Sequence, residues 1–145
     1  MSATTRLEMG RAVLAMQPFS ALLGAELALW DDQHVQLELP IRAELLQQFG
    51  FVHGGVLSYL ADNALTFAGG GALGPEIVTA EYKINYLRPA QGERLIARAA
   101  LVHAGKNQAV CRCEIYALNA GQETLCAAAQ GTIARLSSGK GSNGA

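Results

Sequence analysis

The chain carries little charge, little aromatic surface and few residues of the kinds that staple or break a fold. Charged residues make up 16% of its 145 positions, aromatic residues 6%, and there are only four prolines. Its 11 Lys and Arg nearly balance 12 Asp and Glu, so no strong field of either sign draws it to nucleic acid or to an acidic membrane. No run approaches the roughly 20 apolar residues that cross a bilayer. The start, Met1 to Arg11, lacks a basic segment followed by a long apolar run and so reads as no secretion signal. Three cysteines, an odd number, suit a reducing compartment better than a disulfide scaffold, and the expected location is cytoplasmic. What is plentiful is apolar. Half the residues are hydrophobic, which excludes wholesale disorder. A chain of this length buries about two-thirds of its unfolded surface, so its core needs no metal or disulfide staple. The expectation is a single domain over residues 1–136 followed by a disordered Ser-, Gly- and Asn-rich tail, 137–145.

Along the chain, Met9 to Met16 has helical spacing, Pro18 interrupts it, and Phe19 to Leu23 makes a short turn stopped by Gly24. Ala25–Trp30 and His34–Leu39 read as strands joined at Asp31-Asp32; Val35, Leu37 and Leu39 alternate with Gln36 and Glu38. A loop from Ile41 to Val52 leads to His53-Gly54-Gly55 and a strongly apolar helix, Val56 to Ala68. Leu57, Leu60, Ala61, Ala64 and Ala68 form its core stripe, and Gly69-Gly70-Gly71 is expected to stop it. Four long strands follow, Ile77–Leu87, Arg94–Val102, Gln108–Asn119 and Thr124–Leu136. Their short links at Pro89–Gly92, Ala104–Lys106 and Ala120–Gln122 imply antiparallel neighbours. A helix apolar around most of its circumference needs cover on several sides, so the expected fold class is α+β, a curved antiparallel sheet wrapped around one helix.

Asp62 is the helix's one acid, and Ser58, Asp62 and Thr66, spaced by four, share a face. A carboxylate on a mostly buried helix is costly unless it is hydrogen-bonded. An Asp on a partly solvated face with bland neighbours is the plain alternative. Gly54 and Gly55 at the helix start permit close approach of a substrate to backbone N–H groups that lack an internal partner and could hold a developing oxyanion. A flexible helix start, with His53 near the cap, is the plain reading there. Gly54 and Asp62 are eight residues apart, about 12 Å along a helix. One carbonyl cannot reach both, so a site using both needs two antiparallel copies of the helix, a homodimer with two equivalent sites.

The segment Gln47 to Gly55, the run Leu60-Ala61-Asp62-Asn63-Ala64, and the stretch Thr79 to Ala90 ending in Arg88-Pro89-Ala90 resemble the hotdog-fold thioesterases, in particular their PaaI-like group. The likeness spans about Phe19 to Leu136 and implies a hotdog fold, dimers that often pair into homotetramers, and hydrolysis of acyl-coenzyme A thioesters. It implies that Asp62 is the catalytic carboxylate, as nucleophile or as base for water. Gly54 would polarise the thioester carbonyl through its N–H, and His53 would help orient the site. Gln47, six residues before His53, resembles the Gln of the 4-hydroxybenzoyl-CoA type, whereas Asp62 matches the PaaI-like acid. Thr66 matches a catalytic-site Thr of the Gln-containing type, and Thr79 a Ser or Thr that places water in some relatives. Gly55 and Ser58 join the expected substrate-binding residues. Coenzyme A is then part of the substrate and no cofactor or metal is expected.

Strand alternation sets Thr79 beside Glu81 and Lys83 on the polar face. Arg88, Lys106 and Arg135 could meet coenzyme A phosphates, against the plainer reading of ordinary surface charge. Cys111, Cys113 and Cys126 read as buried structural thiols rather than metal ligands, and His34 and His103 as exposed residues without an acidic partner. Two rivals stay open. A hydratase or dehydratase on the same fold would act on a carbon–carbon double bond and release no thiol. A non-catalytic acyl-CoA binding protein would bind without turnover, although a sensor would normally carry an effector domain.

Overall fold

A computed structural model of the chain describes residues 1–137; most of the expected tail lies outside them. The elements are α1 (Ala3–Ala15), α2 (Pro18–Leu23), β1 (Glu26–Trp30), β2 (His34–Pro40), a 3-10 turn (Ala43–Leu45), α3 (Gly54–Leu73), β3 (Ile77–Tyr86), β4 (Arg94–Ala104), β5 (Gln108–Asn119) and β6 (Gln122–Arg135). Six antiparallel strands form one sheet in the order β1-β2-β4-β5-β6-β3. The sheet packs around α3, which touches β2 through β6. Its core face alternates as the sequence implies: Ala109, Cys111, Cys113, Ile115 and Ala117 of β5 are buried, with Arg112 and Glu114 exposed. Leu57, Leu60, Ala61, Ala64 and Ala68 of α3 are buried against that face.

Helix α1 packs on β1 and meets α2, and side chains of α2 join it to α3. Ser2 caps α1 by accepting from the Thr5 N–H, which starts the helix six residues before Met9. Gly10 lets α1 sit on the sheet, since a Cβ there would lie 2.5 Å from Leu27 Cδ2. Asn63 donates to Gln17 Oε1, Ser20 Oγ and the Tyr59 hydroxyl, a hydrogen-bonded network that joins α2 to α3. Asp31 accepts from the N–H groups of Gln33 and His34 at the expected turn.

Three expectations fail. Gly69-Gly70-Gly71 does not stop the helix, which runs on to Leu73 and is closed by Gly74 at φ +92°. Gly69 is there for packing: a Cβ would stand 2.6 Å from Ile133 Cβ, so helix and sheet meet at a distance only glycine allows. The Pro89–Gly92 link does not join neighbouring strands. It carries the chain from the β3 edge to a place between β2 and β5, and it is anchored along the way, with Ala90 buried and its carbonyl accepting the Val52 N–H. Finally, Thr79 is not on the face of Glu81 and Lys83. The β3–β6 register slips between Thr79 and Glu81, a bulge at Ala80. One extra residue reverses the alternation upstream of it, so Ile77 and Thr79 turn inward with Tyr82 and Ile84.

Candidate active site

The polar stripe of α3 faces β3, the edge strand. Thr79 Oγ1 donates to Asp62 Oδ1 at 2.6 Å. Thr66 Oγ1, one turn further on, donates to the Asp62 carbonyl at 2.8 Å and lies 3.1 Å from Thr79 Oγ1. Both hydroxyl hydrogens are thereby committed around Asp62. Its second carboxylate oxygen has no hydrogen-bond partner among the described residues, which leaves it for a water or an electrophile. Ser58, one turn earlier, is hydrogen-bonded to the Tyr82 hydroxyl. The bulge at Ala80 is what gives Asp62 its Thr79 partner.

The second group of residues lies at the start of the same helix. His53 is the N-cap, and its Nδ1 accepts from the Gly55 N–H at 2.8 Å. That bond sets the ring hydrogen on Nε2. It also uses up the Gly55 donor, whereas the Gly54 N–H has no acceptor among the described residues. The Gly54 carbonyl accepts from the Tyr86 hydroxyl at 3.0 Å. Gln47 forms a turn in which its side-chain oxygen caps the Phe49 N–H and its carbonyl accepts from Gly50, at φ +84°. Gln47, Gly54, Tyr86 and Arg88 line one cleft of about 350 Å³. Arg88 is held there by the Leu125 carbonyl at 3.1 Å.

Within one chain, the carboxylate group and the free amide therefore stay two helical turns apart, as their spacing requires. Lys106 does not join either group. It lies in the β4–β5 turn, at the sheet end where Arg135 pairs with Ile77, while Arg88 follows β3 at the other end. Arg135 donates to the Leu73 carbonyl at the end of α3. His34 has an acidic neighbour after all, Asp31 at 3.6 Å. The cysteines are buried: burial pushes Cys111 up to about 11 and Cys113 up to about 12, and it also raises Cys126. Burial favours the thiol form at neutral pH, which fits cysteines that fill the core, and no group of three or more His, Cys, Asp or Glu that could hold a metal ion occurs among the described residues. Tyr82 and Tyr86 are missed by sequence reasoning, although they alternate with Ile84 on the inner face and so point at the helix.

The sequence profile of the Thioesterase superfamily matches residues 49–124, more than half of the chain, including His53, Gly54, Asp62, Thr66 and Thr79 but not Gln47. The chain belongs to the thioesterase superfamily. A thioesterase family protein from Silicibacter pomeroyi is 34% identical, with a TM-score of 0.84 over 90% of this chain and 98% of that one. The Escherichia coli PaaI protein from the phenylacetic acid degradation operon is 26% identical, with a TM-score of 0.82 over 94% and 97%. The medium/long-chain acyl-CoA thioesterase YigI of Escherichia coli K12 is 27% identical over 124 residues, 74% of this chain and 80% of that protein. The sheet wrapped around α3 is the hotdog fold of these thioesterases, and membership in their superfamily supports a hydrolase acting on thioesters.

Proposed function

We propose that this thioesterase hydrolyses acyl-coenzyme A to the free acid and coenzyme A, in sites built across a homodimer. The observation that carries the reading is the split of one chemical task over one helix. Asp62 holds a free carboxylate oxygen at mid-helix, and Gly54 a free N–H at the helix start. A thioester carbonyl gripped by the Gly54 N–H needs its carbon near a carboxylate. Two antiparallel copies of α3 supply one from each subunit. The polar stripe lies beside β3, an edge strand, and a second subunit across that edge would bring its own helix start toward Asp62.

In this site the Gly54 N–H, at the positive end of the helix dipole, stabilises the oxyanion. Asp62 drives attack on the carbonyl carbon, directly or through a water molecule, and Thr79 fixes its orientation. His53 organises the helix start by occupying the Gly55 donor. Gln47 and Arg88 line the cleft beside Gly54 and face the coenzyme A side. The names of the relatives, one acting on medium and long acyl chains and one from a phenylacetic acid operon, agree with an acyl-CoA substrate. Three buried, unpaired thiols suit a reducing compartment, the cytoplasm. No helix among the described residues is long and apolar enough to cross a membrane.

The test is complementation between two inactive variants. Asp62→Asn removes the carboxylate, and Gly54→Pro removes the N–H. Proline suits the first helical position, and His53, at ψ 135°, has the extended backbone a following proline needs. Co-expressed, the two variants form hybrids in which one of two sites has both groups intact, and thiol release from acyl-CoA returns to about a quarter of wild type. A mixture as inactive as its parents, while sequential purification on two different affinity tags confirms hybrids, rejects the two-chain site. Wild-type protein that releases thiol from no saturated or aromatic acyl-CoA rejects the thioesterase.

A further inference from the structure

A cavity of about 380 Å³ lies between α1 and the second half of α3, and nothing in the chemistry above uses it. It is more than twice the size of an engineered core cavity of about 150 Å³ that takes up benzene. Its near end is Thr66, whose hydroxyl bonds to the Asp62 carbonyl. Met9 and Val13 of α1 roof it, Gly70 and Gly71 form its floor, and Trp30 walls it.

We propose that this cavity receives the acyl group of the substrate and selects unbranched chains of about eight to ten carbons over short or aromatic ones. The inference rests on the thioesterase reading and adds the substrate class. Three observations carry it. The first is position: a thioester carbon at Asp62 has the mouth of the cavity one helical turn away, while the cleft at Gly54, with Gln47 and Arg88, offers polar groups for the opposite side of the thioester.

The second observation is length. Beyond Asn63, whose amide is held in the polar network with Gln17, Ser20 and Tyr59, the cavity follows α3 from Thr66 to Gly74 for about 12 Å. A zigzag chain of about 1.5 Å bonds advances about 1.3 Å per carbon, so about nine carbons fill it. A benzene-sized ring would leave more than half of the space empty. Met9 and Val13 are 49% and 48% exposed, so a bound chain would cover apolar surface that the described residues leave bare. Each methylene buried strengthens binding about fourfold.

The third observation is Gly71. Glycine within a helix is unfavourable, and packing does not require it at this position. A Cβ there would meet nothing closer than Trp30 Nε1 at 3.4 Å, an ordinary contact. Gly69 is different, because Ile133 forbids any side chain. A Cβ at Gly71 would sit in ordinary contact with Trp30, Arg6 and Asp31 and narrow the cavity that Gly71 lines.

The experiment measures binding of S-ethyl, S-hexyl and S-decyl coenzyme A by calorimetry. These thioethers cannot be hydrolysed, so binding is read apart from catalysis. Wild type should bind S-decyl at least tenfold more tightly than S-hexyl coenzyme A. Gly71→Val on the floor and Val13→Trp on the roof should each remove that gain while changing S-ethyl affinity less than twofold, with helical content and melting temperature checked for both. Agreement of two variants on opposite walls separates a filled cavity from a fold defect in either. Wild-type affinity that does not rise with chain length overturns the proposal, as do variants that keep the full gain or that weaken all three ligands equally. Chain-length-dependent binding without thiol release from any acyl-CoA would sustain this pocket and reject the hydrolase.

Discussion

Helix α3 has glycines at both ends, and they serve opposite purposes. At its start, Gly54 lines a cleft, and a Cβ there would meet the Tyr86 side chain, at 3.3 Å. Near its end, Gly69 is buried, with Ile133 2.6 Å from where a Cβ would be. Gly54 keeps its backbone open to something from outside, whereas Gly69 lets the protein's own sheet come close. What a missing Cβ would touch separates access from packing, and sequence alone does not show it. The start of the helix should therefore be sensitive in activity and tolerant in stability, and the Gly69 region the reverse.

The sharpest contrast comes from Asp62→Asn. Its amide oxygen can still accept from Thr79, so melting should shift by no more than about 2 °C, while kcat falls by about 10²–10⁴. A rate within threefold of wild type would remove Asp62 from the chemistry. Gly54→Pro deletes one donor at a position where proline keeps the helix, so kcat should fall by about 10²–10³ with little change in melting. If proline there is harmless to turnover, the free amide is not the oxyanion donor.

Gly69→Ala tests the opposite end. In an exposed helix this change stabilises by about 1 kcal/mol. Here the methyl must push Ile133 aside, and overpacking costs about 1–3 kcal/mol, a drop of about 3–10 °C in a domain of this size. The kcat of the folded fraction should stay within twofold. A rise in melting temperature would mean that helix and sheet separate easily and the packing account is wrong. Among the site variants the smallest loss of turnover is expected for Thr79→Val, which keeps the shape and removes one hydrogen bond to Asp62, worth about 1–3 kcal/mol for a charged acceptor. Turnover should fall by about 5–50-fold; if it does not fall, Thr79 is a bystander to the carboxylate.

Much of the fold was legible because a two-residue period survives burial. β2 and β5 show it plainly, and the core stripe of α3 follows from Leu57, Leu60 and Ala61. The candidate site was legible in residue types and in the impossibility of one chain joining Gly54 to Asp62. What escaped is tertiary. The end of α3 was misplaced because local preference registers the cost of glycine and not what it gains against Ile133. Strand order was misjudged because a short link resembles a hairpin whether or not it crosses the sheet. Thr79 was turned outward because one extra residue at Ala80 leaves no mark in composition. The same slip hid its bond to Asp62, the closest contact the carboxylate makes.

The three cysteines have a practical consequence. All are buried among core side chains, and burial raises the Cys111 and Cys113 thiols well above neutral pH. A chromogenic aromatic disulfide added to the intact protein should therefore stay colourless until substrate supplies a mercaptan. Added denaturant should then yield three equivalents of colour per chain. The same reagent that times the reaction thus counts how many molecules have come apart.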